Sequence, residues 1–359
     1  MAVFKNLVEK QCFFTCITIN TIDQLQEILN SLQGKEYVFR GVKEAMFKCY
    51  TSAQFRTKCK LSQEDFDAKI ISMIEVVRRN EKIKSILKKR SNDVSDFQYL
   101  SLLQHYGFGT TILDFSYEVN YAVFFALDGM SSPQNDDDCD IANYCSIYLF
   151  DKNNPNHLTI QQVFGNSMPQ LEQHHSDAVK EYGKLYTGVS EQTRNSYKYL
   201  PYSELKNIAT GGLSIEGRYG GEMEIYSPNT GIYADYNIAN ERIDTQHGLF
   251  KLNPSSSVPY EEAAINWYSG MRDVTICLNI HKSLRRELEK EFLEPFNICS
   301  DTVYPNDKES RKLIRLLCVL PIDNELRMRK PAYMHCGTWK KMTKKYNKNL
   351  KKRERKELQ

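Results

Sequence analysis

Residues 102–116, LLQHYGFGTTILDFS, constrain the fold more than any other stretch of the chain. They begin as the end of a helix and finish as an apolar run, with Gly107, Gly109, Thr110 and Thr111 at the join. The glycines permit a sharp backbone path and a close approach of main chain to a neighbouring element or a ligand. Asp114 lies within the apolar run, between Leu113 and Phe115. A carboxylate buried there is costly unless paired or hydrogen-bonded, so the stretch demands a partner, and Arg40 or Arg56 would serve. Gln104 and His105 fall in the last turn of the helix, where a histidine can simply cap the dipole or face a cleft.

Around this stretch the pattern alternates between strand and helix. CFFTCITI and EYVFRG read as strands from their β-branched and aromatic content. Between them TIDQLQEILNSLQG reads as a helix, capped by Thr21, with Leu25, Ile28, Leu29 and Leu32 on one face and Gly34 past its end. A single helix is expected from Ser62 to about Arg90, opened by a capping-box-like Ser62 and Asp65, and another from Val94 to Tyr106. YEVNYAVFFALDGM reads as a buried helix and SSPQNDDDCDIAN as an exposed loop. YCSIYLFD, EMEIYSP and DVTICLNI are strand candidates, and KSLRRELEKEF and residues 307–319 are helical. Residues 155–220 give no clear period. The regular βαβα order and Gly-rich loop of a dinucleotide-binding fold are missing, so the expected class is α+β, with a mixed, mainly antiparallel sheet and flanking helices.

Composition narrows the function classes. With 41% hydrophobic and 26% charged residues in 359, the chain is ordinary for a globular protein. No run approaches the ~18 apolar residues of a membrane helix and no signal-peptide pattern opens the sequence, which reads as cytoplasmic with no membrane partner. Its ten cysteines lack paired zinc-ligand spacing, so reduced thiols and no metal are expected. Walker A, G-x-S-x-G, H-E-x-x-H and EF-hand patterns are all missing. Residues 340–359 hold ten Lys/Arg against two Glu, a solvated arm or a contact for nucleic-acid phosphates.

Several short motifs carry candidate chemistry. In YVFRG an arginine ends an apolar strand before a glycine; Arg40 can pair with a carboxylate or hold a phosphate bidentately, with Gly41 opening the backbone to the ligand. Arg56 in TSAQFR offers a second guanidinium. NERIDTQHGLF gathers Arg242, Gln246 and His247 before Gly248, suited to a carboxamide or to stitching a loop. Glu222 and Glu224 in EMEI share one strand face; an exposed polar face is the simpler account, a catalytic glutamate the sharper one.

These motifs together resemble the FRG domain family. Phe39-Arg40-Gly41 matches the signature that names it, TSAQFR the arginine-bearing segment that follows, and residues 104–126 its Gln-His, Tyr-Gly, Leu-Asp and Ala-x-x-Phe-Ala series. Arg242, Gln246, Gly248 and Phe250 match its later segment. The chain departs from the family at Gly109, Thr111, Phe115 and Asn306, where proline, arginine, tryptophan and aspartate are usual. The resemblance implies one domain over residues 1–325 with an insertion around 130–220, followed by a basic tail, 326–359.

A second similarity, of the aromatic-Arg-Gly strand end to arginine-type ADP-ribosyltransferases, implies NAD as substrate. On that similarity Arg40, Gly41, Arg56, Gln104, Tyr106, Thr110 and Arg242 would bind it, and Arg40, His105, Asp114, Gln246 and Glu224 would carry the chemistry. Toxin or antiviral-defence action, RNA or DNA as target and an antitoxin or regulatory partner are further implications. The alternative is a non-catalytic nucleotide- or nucleic-acid-binding sensor. The expectation that organises the site is one cleft, anchored by Arg40, walled by Asp114 and served by Gln104 and His105.

Overall fold

The computed structural model describes residues 1–33, 37–88, 96–151, 202–203, 206, 214–217, 223–226, 245–265, 275–304 and 308–328. Its frame is an eight-stranded sheet in the order β1-β8-β4-β2-β3-β7-β5-β6. The strands are β1 (Thr15–Ile19), β2 (Tyr37–Val42), β3 (Ile112–Ser116), β4 (Tyr144–Asp151), β5 (Ser214–Gly217), β6 (Met223–Tyr226), β7 (Gly248–Leu252) and β8 (Thr275–His281). Only β1 and β8 run parallel; the other neighbours are antiparallel. The α+β class with a mixed, mainly antiparallel sheet is the architecture observed.

The helices follow local signals closely. After the short α1 (Leu7–Lys10) comes α2 (Ile22–Ser31), where the Thr21 side chain accepts the amide of Gln24 and Leu25 is buried against β1 and β8 residues. The helix expected from Ser62 to Arg90 is two: α4 (Gln63–Arg78) and α5 (Glu81–Lys88). Asn80 causes the break, its Oδ1 accepting the amide of Ile83 as an N-cap does. The short α3 (Ser52–Thr57) is opened by a full capping box between Thr51 and Gln54. α6 (Asp96–His105) and α7 (Val119–Leu127) flank β3 in sequence. The helical segment after β8 is not uniform: 3-10 over Lys282–Leu284, α over Arg285–Leu288, π over Glu289–Leu293 and 3-10 again over Glu294–Phe296. A last helix covers Lys308–Leu317.

Strand alternation divides the core. Ile17, Ile19, Phe39, Ile147, Leu149, Leu278 and Ile280 point to one face, where α2, α7 and the segment after β8 cover them. On that same face Ile112, Phe250 and Leu252 are covered by α4, α5, α6 and the last helix. The opposite face carries Val38, Leu113, Phe115, Tyr148, Leu249 and Cys277 beneath the N-terminal residues Phe4 and Phe14, Ala45, Cys49 and Tyr260. Lys282 ties in the loop before β4, its buried Nζ bonding Glu44, Ser131 Oγ and the Ala142 carbonyl. No helix among the described residues is long and apolar enough to cross a membrane.

Candidate functional site

The sheet narrows at its centre. β2 pairs with β4 over its whole length, Tyr37↔Asp151 to Val42↔Ser146, and β3 with β7 from Ile112↔Leu252 to Ser116↔Gly248. Between β2 and β3 the register consists of one pair, Phe39↔Ser116. Two four-stranded halves therefore meet at one point and part beyond it, and Arg40 is the first residue of β2 past the join. In the gap its Nη1 donates to the main-chain carbonyl of Asp114 at 2.6 Å, an acceptor left over where the ladder stops. Its guanidinium lies 5.7 Å from the Phe115 ring centroid, a cation–π distance. Its Nε is buried and has no hydrogen-bond acceptor among the described residues, so one charged donor is held dry and unused.

Asp114 turns the other way. Opposed residues in an antiparallel pair share a face and neighbours along a strand alternate. Phe39↔Ser116 thus places Arg40 with Phe115 on one face and Asp114 with Ser116 on the other. The Asp114 carboxylate accepts Gln104 Nε2 at 2.7 Å. Gln104 is oriented in turn, its Oε1 accepting from Ser52 Oγ at 3.0 Å and from Thr110 Oγ1. Ser52 Oγ closes the loop by accepting the Thr110 amide at 2.9 Å. Burial pushes the Asp114 carboxyl up, opposed by the Arg40 charge and the Gln104 bond. His105 stands beside this network with its ring edge-on to Phe250, centroids 5.1 Å apart, and Phe250 is the register partner of Asp114. The structure therefore brings Gln104, His105, Thr110 and Asp114 together but sets Arg40 across the sheet from them. Arg40 meets Asp114 through a carbonyl, and the carboxylate is satisfied by an amide.

The remaining expected residues separate further. Arg56 spends its guanidinium on the carbonyls of Gly107, Leu326 and Arg327, at 2.6, 3.0 and 2.5 Å, and so binds the turn after α6 to residues 326–328. Gly109 serves that junction: its amide reaches the Leu326 carbonyl at 2.7 Å, and a Cβ there would lie 3.0 Å from Arg56 and Leu326 side-chain carbons. Gly41 admits a helix where a ligand was expected, because a Cβ on it would lie 1.8 Å from the carbonyl oxygen of Ala122 in α7. Tyr106 is buried in the core under α4 to α6. Gln246 donates to the Val303 carbonyl at 3.0 Å while its own carbonyl accepts Ser116 Oγ. Arg242 and Glu222 lie outside the described residues. Glu224 stands on β6 at the end of the register line Leu113↔Lys251↔Glu216↔Glu224, a line of the Arg40 face.

Two ionisable groups on the Arg40 face escaped the sequence. Glu261, in the helix Tyr260–Ile265, is fully buried and accepts the Cys49 amide at 3.1 and 3.3 Å. Burial pushes its carboxyl up to about 7, against the pull of its hydrogen bonds and of Lys48. Lys10 is fully buried as well. Only the general rarity of unpaired buried charges could have marked either one, and nothing in VPYEEAAI or NLVEKQ announces burial. Among the described residues no group of three or more His, Cys, Asp or Glu could hold a metal ion.

No curated protein and no solved structure matches the chain. A family match does cover the site: residues 35–135, from β2 through α7 and holding Arg40, Gln104, His105 and Asp114, match the FRG domain.

Proposed function

We propose that the Arg40 face binds NAD by its phosphates and that the chain is an ADP-ribosyltransferase-like enzyme acting on nucleic acid. The observation that carries this is the buried, acceptor-less Nε of Arg40 at the point where the sheet halves part. A dry guanidinium donor supports binding of a phosphate or carboxylate oxygen. Phe115 and Lys251, whose Nζ is 5.7 Å from the same ring, add an aromatic surface and a second cation beside it. The transfer breaks the bond between nicotinamide and ribose through an oxocarbenium-like state, releases nicotinamide and joins the ribose carbon to the acceptor. It needs a carboxylate near the ribose, and Glu224 is the candidate on this face. Gln104 and Asp114 act from behind, fixing the strand whose carbonyl holds Arg40. The Lys/Arg-rich residues 340–359 supply the attraction to nucleic-acid phosphates.

A second reading, nucleotide binding without transfer, is favoured by the sheet order. Four strand spacings separate β2 from β6, about 19 Å, a long reach for an anchor and a catalytic carboxylate. Incubation with labelled NAD, RNA and DNA separates the two. Nicotinamide release and labelled nucleic acid, both lost in Glu224→Gln, support transfer; NAD binding with neither product supports the second reading. Absence of NAD binding by the folded protein ends both.

A further inference from the structure

Away from Arg40, the same face holds a polar cluster in its core. Lys10, at the end of the short helix Leu7–Lys10, drives its Nζ into the sheet. There it donates to the Ala45 carbonyl at 2.9 Å, Ser146 Oγ at 2.7 Å and Asn279 Oδ1 at 2.9 Å, and sits 4.9 Å from the Tyr148 ring centroid. All of these partners are neutral, and a buried ammonium held only by neutral groups is costly. Beside it stands Cys277, fully buried, its Sγ 3.5 Å from Asn279 Oδ1. Cys277 lies directly opposite Cys16 in the β1–β8 register, which sets the two side chains side by side on one face of the sheet. Cys16 is half-buried, so the pair has an outer and an inner sulfur.

Lys10 marks the inner sulfur as the nucleophile, because its Nζ and the Cys277 Sγ both reach Asn279 Oδ1, at 2.9 and 3.5 Å. Burial pushes the Cys277 thiol up, but its polar surroundings and the Lys10 charge outweigh it and hold the thiol below its ordinary value. The Cys16 thiol, beside Cys277 and half-buried, moves upward. A thiolate formed at Cys277 is a counter-ion for Lys10. Farther along the same face burial pushes the Cys49 thiol up, and the Glu261 and Cys277 charges add to this.

We propose that Cys16 and Cys277 are a redox-sensitive dithiol that a small hydroperoxide converts to a disulfide joining β1 to β8. The Cys277 thiolate attacks the outer peroxide oxygen and the O–O bond breaks. This leaves a sulfenic acid on Cys277 and an alkoxide, or hydroxide, that takes back from solvent the proton Cys277 released on ionising and becomes alcohol or water. The Cys16 sulfur then displaces the sulfenic hydroxyl, which leaves as water with the Cys16 proton, and the S–S bond forms. In sum two thiols and one hydroperoxide give one disulfide, one alcohol or water, and one further water. Lys10 loses its counter-ion in the product, so oxidation weakens the docking of the N-terminal segment that carries it.

The test uses the full-length reduced protein, hydrogen peroxide and peptide mapping. A Cys16–Cys277 linked peptide is expected, with Cys277 consumed faster than the buried Cys145 and Cys318. In Cys16→Ser a dimedone-trapped sulfenic acid should appear on Cys277. Lys10→Met should slow that oxidation by about tenfold or more. Oxidation confined to Cys12, Cys139 and Cys299, or a Cys277 no faster than Cys145, overturns the proposal. The wild-type measurement decides it even where a variant does not fold.

Discussion

At the residue scale the structure turns on side chains that leave water on unequal terms. Asp114 has one strong partner, Gln104, itself held by Ser52 and Thr110. Asp114→Ala would leave the Gln104 amide unpaired and cost about 1–3 kcal/mol. Asp114→Asn keeps an acceptor and should cost less; urea unfolding of the two variants checks the order, and equal losses would contradict it. Glu261 makes stability depend on pH. Its folded value of about 7 lies above the ordinary 4.5, so the folded state favours the protonated form. Its contribution is fully present below about 4.5 and lost as pH rises through about 7, on the order of 3 kcal/mol in all. Glu261→Gln keeps an acceptor for the Cys49 amide and removes this dependence. The variant should therefore unfold at a higher temperature than wild type at pH 8, and the difference should shrink at pH 5. An advantage independent of pH would contradict the assignment.

At the element scale, most strands and helices were legible because each carries its own signal. The caps at Thr21 and Ser62 and the alternation in YVFRG and TICLNIH are local. What was not legible depends on partners far along the chain. GLFKL became β7 because β3 lies beside it, and Ser214–Gly217 became a strand between β6 and β7; neither has a distinctive period. The break at Asn80 was readable as a cap but was hidden by the continuous apolar pattern around it. The separation of Arg40 from Asp114 has the same origin. Period-two alternation was known for each strand, but only the register Phe39↔Ser116 says which residues share a face. The glycine of the Phe-Arg-Gly signature shows how an element can absorb a motif. Gly41 lies under α7, and Gly41→Ala would push a methyl group into the Ala122 carbonyl. It should cost about 3 kcal/mol or more, since helix or strand must move; wild-type-like unfolding of that variant would mean that α7 is not seated there.

At the scale of the whole molecule, one sheet separates two kinds of polar chemistry. The Asp114 face is closed, its carboxylate, amide and hydroxyl groups bonded to one another. The Arg40 face keeps a guanidinium donor without an acceptor, a carboxyl that titrates near neutrality and a lysine–thiol cluster. Function belongs on the second face, and the FRG match over residues 35–135 holds Arg40 on that face together with the helices that cover the other one. Calorimetric titration of NAD into the wild-type protein and into Arg40→Ala, with folding checked by circular dichroism, tests that most directly. Saturable binding by wild type and a 10–100-fold weaker affinity in the variant are expected, the loss of about 1.5–3 kcal/mol that goes with a charge-assisted bond. Equal affinities in the two proteins, or no binding by either, would contradict it.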